Sequence, residues 1–249
     1  MACAGSPAPG PQPTTQPAGE AASHSHKHHH GEGHGHGEGH GHGEGHGHGE
    51  GHGHGEGHAG HMQHSFDDPE HWAKRFDAED RAAWQKPAEV VASMQIKPGM
   101  TVADIGAGTG YFLAHLSPAV GPSGKVWALD IEPKLVGYMQ ARVQKEGLGN
   151  VEVKVIPRDD PQLADADRVL IVDTWHHIPA RVAYAKRIFA GLKPGGSLYI
   201  VDFTQDGPMG PPAEFRIKAE TIIATLKAAG FAAQLVQESL PHQFIVRGT

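Results

Sequence analysis

The sequence predicts an α/β protein built on a doubly wound, mostly parallel sheet, preceded by a tail that takes no part in the fold. Three observations lead there. From about Ser65 onward, short runs rich in Val, Ile and Leu alternate with stretches of helical periodicity, an order that sets parallel strands side by side with helices on both faces. The first of those strands runs directly into a glycine loop that opens a helix. Residues 1–64, in contrast, hold sixteen of the twenty-one histidines and eighteen of the thirty-four glycines with almost no large apolar residue. Such a segment cannot bury enough surface to offset the entropy of ordering it. The chain therefore divides into a tail, 1–64, and one domain, 65–249, long enough for a sizeable core.

In the tail, GEGHGH recurs from Gly31 with a period of six and ends in GEGHAGH. A repeat this short, with no apolar face to stack, builds no solenoid; its composition predicts metal binding. Imidazole suits Ni²⁺, Zn²⁺ and Cu²⁺, and intervening glycines let neighbouring rings converge. The candidate ligands are His28, His29, His30, His34, His36, His40, His42, His46, His48, His52, His54 and His58, and Glu32, Glu38, Glu44, Glu50 and Glu56 add oxygen donors or keep the segment soluble. A flexible polymer supplies no oriented site with an open position, so buffering, storage or delivery of a metal fits it better than catalysis.

Charge sets further bounds. The tail carries six acids against one lysine, the remainder twenty-two acids against twenty bases, so neither part has the basic surface of a nucleic-acid binder. Protonation of the tail histidines as pH falls through about 6.5 would reverse the tail's sign. The single cysteine, Cys3, excludes an internal disulfide and a Cys-rich metal centre, and no apolar run approaches the roughly 20 residues of a membrane-spanning helix. ACAGSPAPGPQPTTQPAGE resembles the start of a mature bacterial lipoprotein, without the charged and apolar regions of a signal peptide before it. An incidental cysteine in a disordered leader is the alternative.

The domain's elements follow in order. KPAEVVASMQI reads as a helix with Pro87 in its first turn and Val90, Val91 and Met94 on one face, and Trp84 just before it is assigned to packing of the amino-terminal helix. TVADIG is a buried strand leading into GAGTGYFLAHL; KVWALDI is the second strand, followed by a helix in which Leu135, Met139 and Val143 lie four apart. VEVKVI and DRVLIVD are the third and fourth strands, ARVAYAKRIFAGL is a helix, and GSLYIVDF is the fifth strand.

Ligands of doubly wound sheets bind beyond the carboxyl ends of the strands, where strand order reverses. The loop ADIGAGTG stands at such an end. A dinucleotide fingerprint would need glycine at 111, which is Tyr111, and no Gly-Lys-Ser/Thr follows to make a phosphate-binding P-loop. The glycines are instead Gly106, Gly108 and Gly110, preceded by Asp104.

Asp104-Ile-Gly-Ala-Gly-Thr-Gly110 resembles motif I of the class I S-adenosylmethionine-dependent methyltransferases, and the likeness extends over nearly all of residues 70–249. ALDIEP, PRDD, VDTWHHI and LKPGG follow in the family's order, and GPPAEFRIKAETIIATLKAAGF resembles the stretch before the closing β-hairpin of small bacterial members. The resemblance implies a Rossmann-like, seven-stranded sheet and S-adenosylmethionine as cosubstrate. It implies that Asp104, Gly106, Gly108 and Gly110 hold the methionine and ribose parts, that Asp130 accepts the ribose hydroxyls, and that Asp159, with Asp160 as runner-up, meets the adenine amino group. Asp173 would line the floor below the transferring methyl. The acceptor is then a small molecule approaching past Asp173, Trp175, His176 and His177; His176 is the candidate base for an acceptor that must lose a proton, pocket lining being the alternative. The loop TQDGPMGPPAEF is expected to form part of the acceptor wall, its prolines fixing its shape.

A protein of another class fits the same chain: a metal-handling protein whose methyltransferase-like domain binds S-adenosylmethionine without turnover. Methylation of a metalloid would join the two, but the lack of further cysteines weakens it for soft elements. The cosubstrate points to the cytoplasm; the lipoprotein reading of Cys3 would point to the cell envelope.

Overall fold

The computed structural model describes residues 66–249. The tail histidines and Cys3 lie outside the described residues. Among the described residues no helix is long and apolar enough to cross a membrane, and no group of three or more His, Cys, Asp or Glu side chains is placed to hold a metal.

Seven strands form one sheet: β1 (Thr101–Ile105), β2 (Lys125–Asp130), β3 (Val151–Val155), β4 (Ala166–Val172), β5 (Leu192–Phe203), β6 (Ala233–Val236) and β7 (Gln243–Gly248), in the order β3-β2-β1-β4-β5-β7-β6. Strands β1 to β5 pair in parallel, and β7 is antiparallel to both β5 and β6. This is the predicted doubly wound sheet with its closing hairpin. The order reverses between β1 and β4, so the crevice lies beyond Ile105 and Val172.

Alternation along each strand feeds two cores. Ala103, Ile105, Leu129, Val169, Ile171, Leu198, Ile200 and Val246 face one side. There they meet Tyr184, Ala185 and Ile188 of α6 (Arg181–Gly191) and Ile222 and Leu226 of α7 (Ala219–Ala228). Val102, Val126, Ala128, Leu170, Val172, Tyr199, Val201 and Ile245 face the other side. Their partners are α3 (Pro87–Ser93), α4 (Leu113–Val120) and α5 (Pro133–Glu146) through Val90, Leu113, Leu116, Val136 and Met139. A side-chain period of two on a sheet covered on both faces accounts for both lists.

Three features add to the sequence reading or depart from it. Strand β5 begins at Leu192, not Gly196, because Leu192 pairs with Ala166 across an irregularity that draws the Lys-Pro-Gly-Gly turn into the strand. Strand β3 is an edge strand, and Val155 is exposed. Two further helices, α1 (Pro69–Phe76) and α2 (Arg81–Gln85), precede α3. The start of α1 was marked in the sequence: Asp68 caps it, accepting from the His71 backbone N–H at 3.1 Å, and Pro69 opens its first turn.

Candidate active site

At the carboxyl end of β1 the backbone turns through Gly106, Gly108 and Gly110, all at positive φ. Gly106 is the most constrained. Its N–H donates to the Leu129 carbonyl at 2.8 Å, and a Cβ there would lie 2.4 Å from Thr174 Cγ2. The end of β1 and the end of β4 therefore touch at a point where only glycine fits. A Cβ at Gly108 would be 3.7 Å from the Phe76 ring of α1, ordinary contact distance, so this glycine is required by its conformation and not by a clash.

Asp130, at the end of β2, is 6% exposed and tied to the loop. Its Oδ2 accepts from Gly108 N–H at 2.8 Å and its Oδ1 from Glu132 N–H at 3.0 Å. Each oxygen keeps lone-pair capacity for a further donor. Burial raises its pKa against these stabilising hydrogen bonds. Asp104, 3% exposed, has its pKa pushed up to about 7, by burial first and by Asp130 in addition, while Arg81 opposes the rise.

Asp173 follows β4 with φ +52°, a left-handed conformation that is strained for a residue bearing a side chain. Its pKa is also raised to about 7: burial is the main cause and Asp202 adds to it, while Arg81, His176 and a hydrogen bond from Gln85 counter it. Around it closes a ring of side chains. Arg81 Nε donates to Gln85 Oε1 at 2.8 Å, Gln85 Nε2 to Gln243 Oε1 at 2.5 Å, and Gln243 Nε2 to Asp173 Oδ1; Asp173 Oδ2 lies 3.9 Å from Arg81 Nη2. The Arg81 guanidinium also stacks 4.0 Å over the Tyr111 ring and donates to the Phe76 carbonyl. One half-buried cation thus faces the buried carboxyl of Asp104 and the half-buried one of Asp173, and the pocket is short of positive charge.

The segment from Phe66 through α2 lies over the glycine loop. Thr109 Oγ1 donates to Asp77 Oδ1 at 3.0 Å, and Arg142 of α5 donates to Asp77 Oδ2 at 2.9 Å and to the Thr109 carbonyl at 3.1 Å. Phe66, Trp72 and Phe76 form a ladder with centroids 4.8 and 5.2 Å apart. Trp84 packs 5.9 Å from Phe203 at the end of β5.

Just after β4, Trp175 is fully buried in the core and lines no part of the cleft. The His176 side chain is 6% exposed, with Nδ1 3.3 and 3.4 Å from the two oxygens of Asp202, which is completely buried at the end of β5. The His177 ring lies 4.1 Å from that of His176. Asp159 turns outward: its carboxylate is 77% exposed and paired with Arg187 at 3.2 Å, and Asp160 accepts from the Gln162 backbone N–H. The Tyr184 hydroxyl is held un-ionised by burial and by the field of Asp160, Asp130 and Asp159, against Arg187. The 204–211 loop owes its shape to Arg216 as well as to proline: the guanidinium donates to the carbonyls of Pro211, Thr204, Gln205 and Gly207 at 2.6–3.1 Å.

Arg81, Gln85, Gln243, Thr174 and Asp202 were not singled out from the sequence. Only Asp202 left a local signal there, an acid in the otherwise apolar run YIVDF.

A family model described as a methyltransferase domain matches residues 96–240. A ubiquinone/menaquinone biosynthesis C-methyltransferase of Burkholderia cenocepacia (strain HI2424) is 26% identical over 136 residues, covering 49% of this chain and 50% of its own. A demethylmenaquinone methyltransferase of Bacillus cytotoxicus is 29% identical over 133 residues, 51% of this chain and 54% of its own. The chain spans about half the length of these curated relatives. The crystal structure of an S-adenosylmethionine-dependent methyltransferase from Aquifex aeolicus superposes with a TM-score of 0.68 at 31% identity, covering 73% of this chain and 97% of that one. A Haloferax volcanii methyltransferase solved with its Trm112 activator shares the fold, with a TM-score of 0.59 at 18% identity over 74% of this chain and 96% of that one.

Proposed function

The chain belongs to the methyltransferase-domain family, and from that premise we propose that it transfers the methyl group of S-adenosylmethionine to a small-molecule acceptor. The observation that carries the reading is the joint made by Asp130 and the glycine loop, where one carboxylate accepts from Gly108 N–H while its lone pairs remain available for a diol. The rest of the pocket suits the same ligand. S-adenosylmethionine has no phosphate, which agrees with a glycine loop lacking a P-loop lysine. It carries a sulfonium and an ammonium, and Asp104 and Asp173 supply two carboxyls with too little positive charge around them. Its carboxylate is matched by Arg81.

A sulfonium supplies a methyl group already activated for displacement. The residues therefore act mainly by alignment, which is worth up to about 7–11 kcal/mol for well-held reactants. Asp130 fixes the ribose end, Arg81 and Asp104 the methionine end, and Asp173 borders the point of transfer. We assign Asp159 to the adenine amino group; the exposed ion pair with Arg187 that this would open is of a kind that contributes little. The names of the two relatives make a quinone-type ring the first acceptor class to try.

The tail is assigned to Ni²⁺, Zn²⁺ or Cu²⁺ binding on the strength of its histidine repeat. Equilibrium binding of labelled S-adenosylmethionine to the full chain tests the central reading. Saturable binding that is lost in Asp130→Ala supports it, and binding that is absent, or indifferent to that substitution, sinks it.

A further inference from the structure

Beyond the end of β4 the chain carries a second acid–base element that the cosubstrate pocket does not use. His176 stands three residues after Asp173, and both oxygens of Asp202 lie within 3.4 Å of its Nδ1. Asp202 is fully buried on β5, and its Oδ1 also accepts from the Phe203 backbone N–H at 2.9 Å. This fixes the carboxylate plane independently of the histidine. The His176 carbonyl accepts from Arg181 Nη2 at 2.8 Å, so the backbone of the histidine is held as well. Nε2 has no hydrogen-bond partner among the described residues, yet it is not among their sealed-in polar atoms. One nitrogen is committed and the other is open.

A carboxylate on Nδ1 selects the tautomer with its proton there and leaves the Nε2 lone pair free. The partner of one imidazole nitrogen thus fixes the orientation and tautomer that the other presents. Nothing in binding a methyl donor calls for such a pair. Resting on the methyltransferase reading above, we propose that Asp202 is a positioning residue that makes His176 Nε2 the base for an acceptor whose nucleophile is masked by a hydroxyl proton, such as a phenol, catechol or quinol.

Nε2 takes the hydroxyl proton. The freed electron pair, on oxygen or on the conjugated ring carbon, forms the bond to the methyl carbon as the S–CH₃ pair returns to sulfur, leaving a neutral thioether. His176 gives its proton to water; after attack by carbon, the ring regains aromaticity by losing the proton at that carbon and reprotonating its oxygen. One proton is released per methyl transferred.

The test compares the full chain with Asp202→Asn. In the variant the Asn oxygen can stay on Phe203 N–H, which turns the amide NH₂ toward Nδ1 and favours the opposite tautomer, with its proton on Nε2. Long-range ¹H–¹⁵N spectra, with the His176 signal identified by its loss in His176→Gln, are expected to show Nδ1–H in the wild type and Nε2–H in Asp202→Asn. The same tautomer in both overturns the positioning role. Transfer from labelled S-adenosylmethionine is then measured to catechol and 1,4-naphthalenediol, and to nicotinamide, whose ring nitrogen has no proton to lose. The expected result is transfer to a hydroxyarene, with kcat at saturating donor lowered tenfold or more in Asp202→Asn and partial recovery in Asp202→Glu. Equal kcat in the variant, preference for nicotinamide, or transfer to no hydroxyarene by a wild type that binds the donor overturns the proposal. A wild type that does not bind the donor at all contradicts the methyltransferase reading instead, and the tautomer comparison still decides the role of Asp202.

Discussion

Gln243 donates its side-chain N–H to the carboxylate of Asp173 across seventy residues of sequence. That bond closes the ring through Gln85 and Arg81, and it makes a residue of the antiparallel hairpin a determinant of the charge at the carboxyl end of β4. Asp104 and Asp173 are both pushed up to about 7, and Arg81 opposes the rise in each.

Replacing Arg81 with Met removes that cation and leaves the Gln85 side-chain oxygen and the Phe76 carbonyl without their donor. Thermal unfolding should show a loss of about 1–3 kcal/mol, the usual penalty for orphaned buried polar groups. Calorimetric affinity for S-adenosylmethionine should fall by more than tenfold. An unchanged affinity would show that the cosubstrate carboxylate is held elsewhere.

The glycines of the loop should not respond alike. Gly106→Ala places a methyl 2.4 Å from Thr174 Cγ2 on a backbone at φ +73°, so both stability and donor binding should collapse. Gly108→Ala meets only ordinary contacts at 3.7 Å, and its penalty should stay near the roughly 1–3 kcal/mol of a strained backbone. Equal effects on melting temperature at the two positions would show that Thr174 yields to the added methyl.

Asp104 and Asp173 also set a pH dependence. A carboxyl whose folded pKa lies near 7 holds its proton in the fold after the unfolded chain, with a value of about 3.9, has lost it. The contribution of these groups to stability is therefore fully present below pH 4 and declines as pH rises toward 7. A cationic ligand favours their ionised forms, so donor affinity should run the other way: it should rise as pH increases from 6 to 7, by up to about tenfold for each proton released, and level off above. Calorimetry in buffers of different ionisation enthalpy measures the protons released. The dependence should survive deletion of residues 24–64, because its source is in the domain.

That deletion separates the two halves of the proposed function. It removes every histidine of the repeat, so Ni²⁺ or Zn²⁺ stoichiometry should collapse while binding of S-adenosylmethionine persists. Loss of donor binding along with the metal would favour a metal-handling protein in which the domain is an accessory.

Most of the fold could be read from the sequence because its signals are local. Periodicity and glycine spacing placed β1, the loop, α5 and the strand ends carrying Asp104, Asp130 and Asp173. The remainder depends on partners distant in sequence. Arg81 and Gln243 look like surface residues until α2 and β7 are set against the end of β4, and Thr174 matters only because Gly106 lies against it. Asp159 illustrates the complementary limit: a position within PRDD can be carried over from a family, but the direction of its side chain is decided by Arg187 on α6. Helix α1 is legible in its Asp-Pro-Glu start, although it lacks the long apolar stripe that marks α5.

The ring around Asp173 has a consequence for how the molecule is made. Its members are delivered by the ribosome in three instalments: Arg81 and Gln85, then Asp173, and seventy residues later Gln243. At about 5–20 residues per second, Asp173 waits on the order of ten seconds for its amide partner. Through that interval Arg81, Gln85 and Asp173 are already synthesised while the ring that joins them is still open, so the charge beside Asp173 is set only when the last strand has been made.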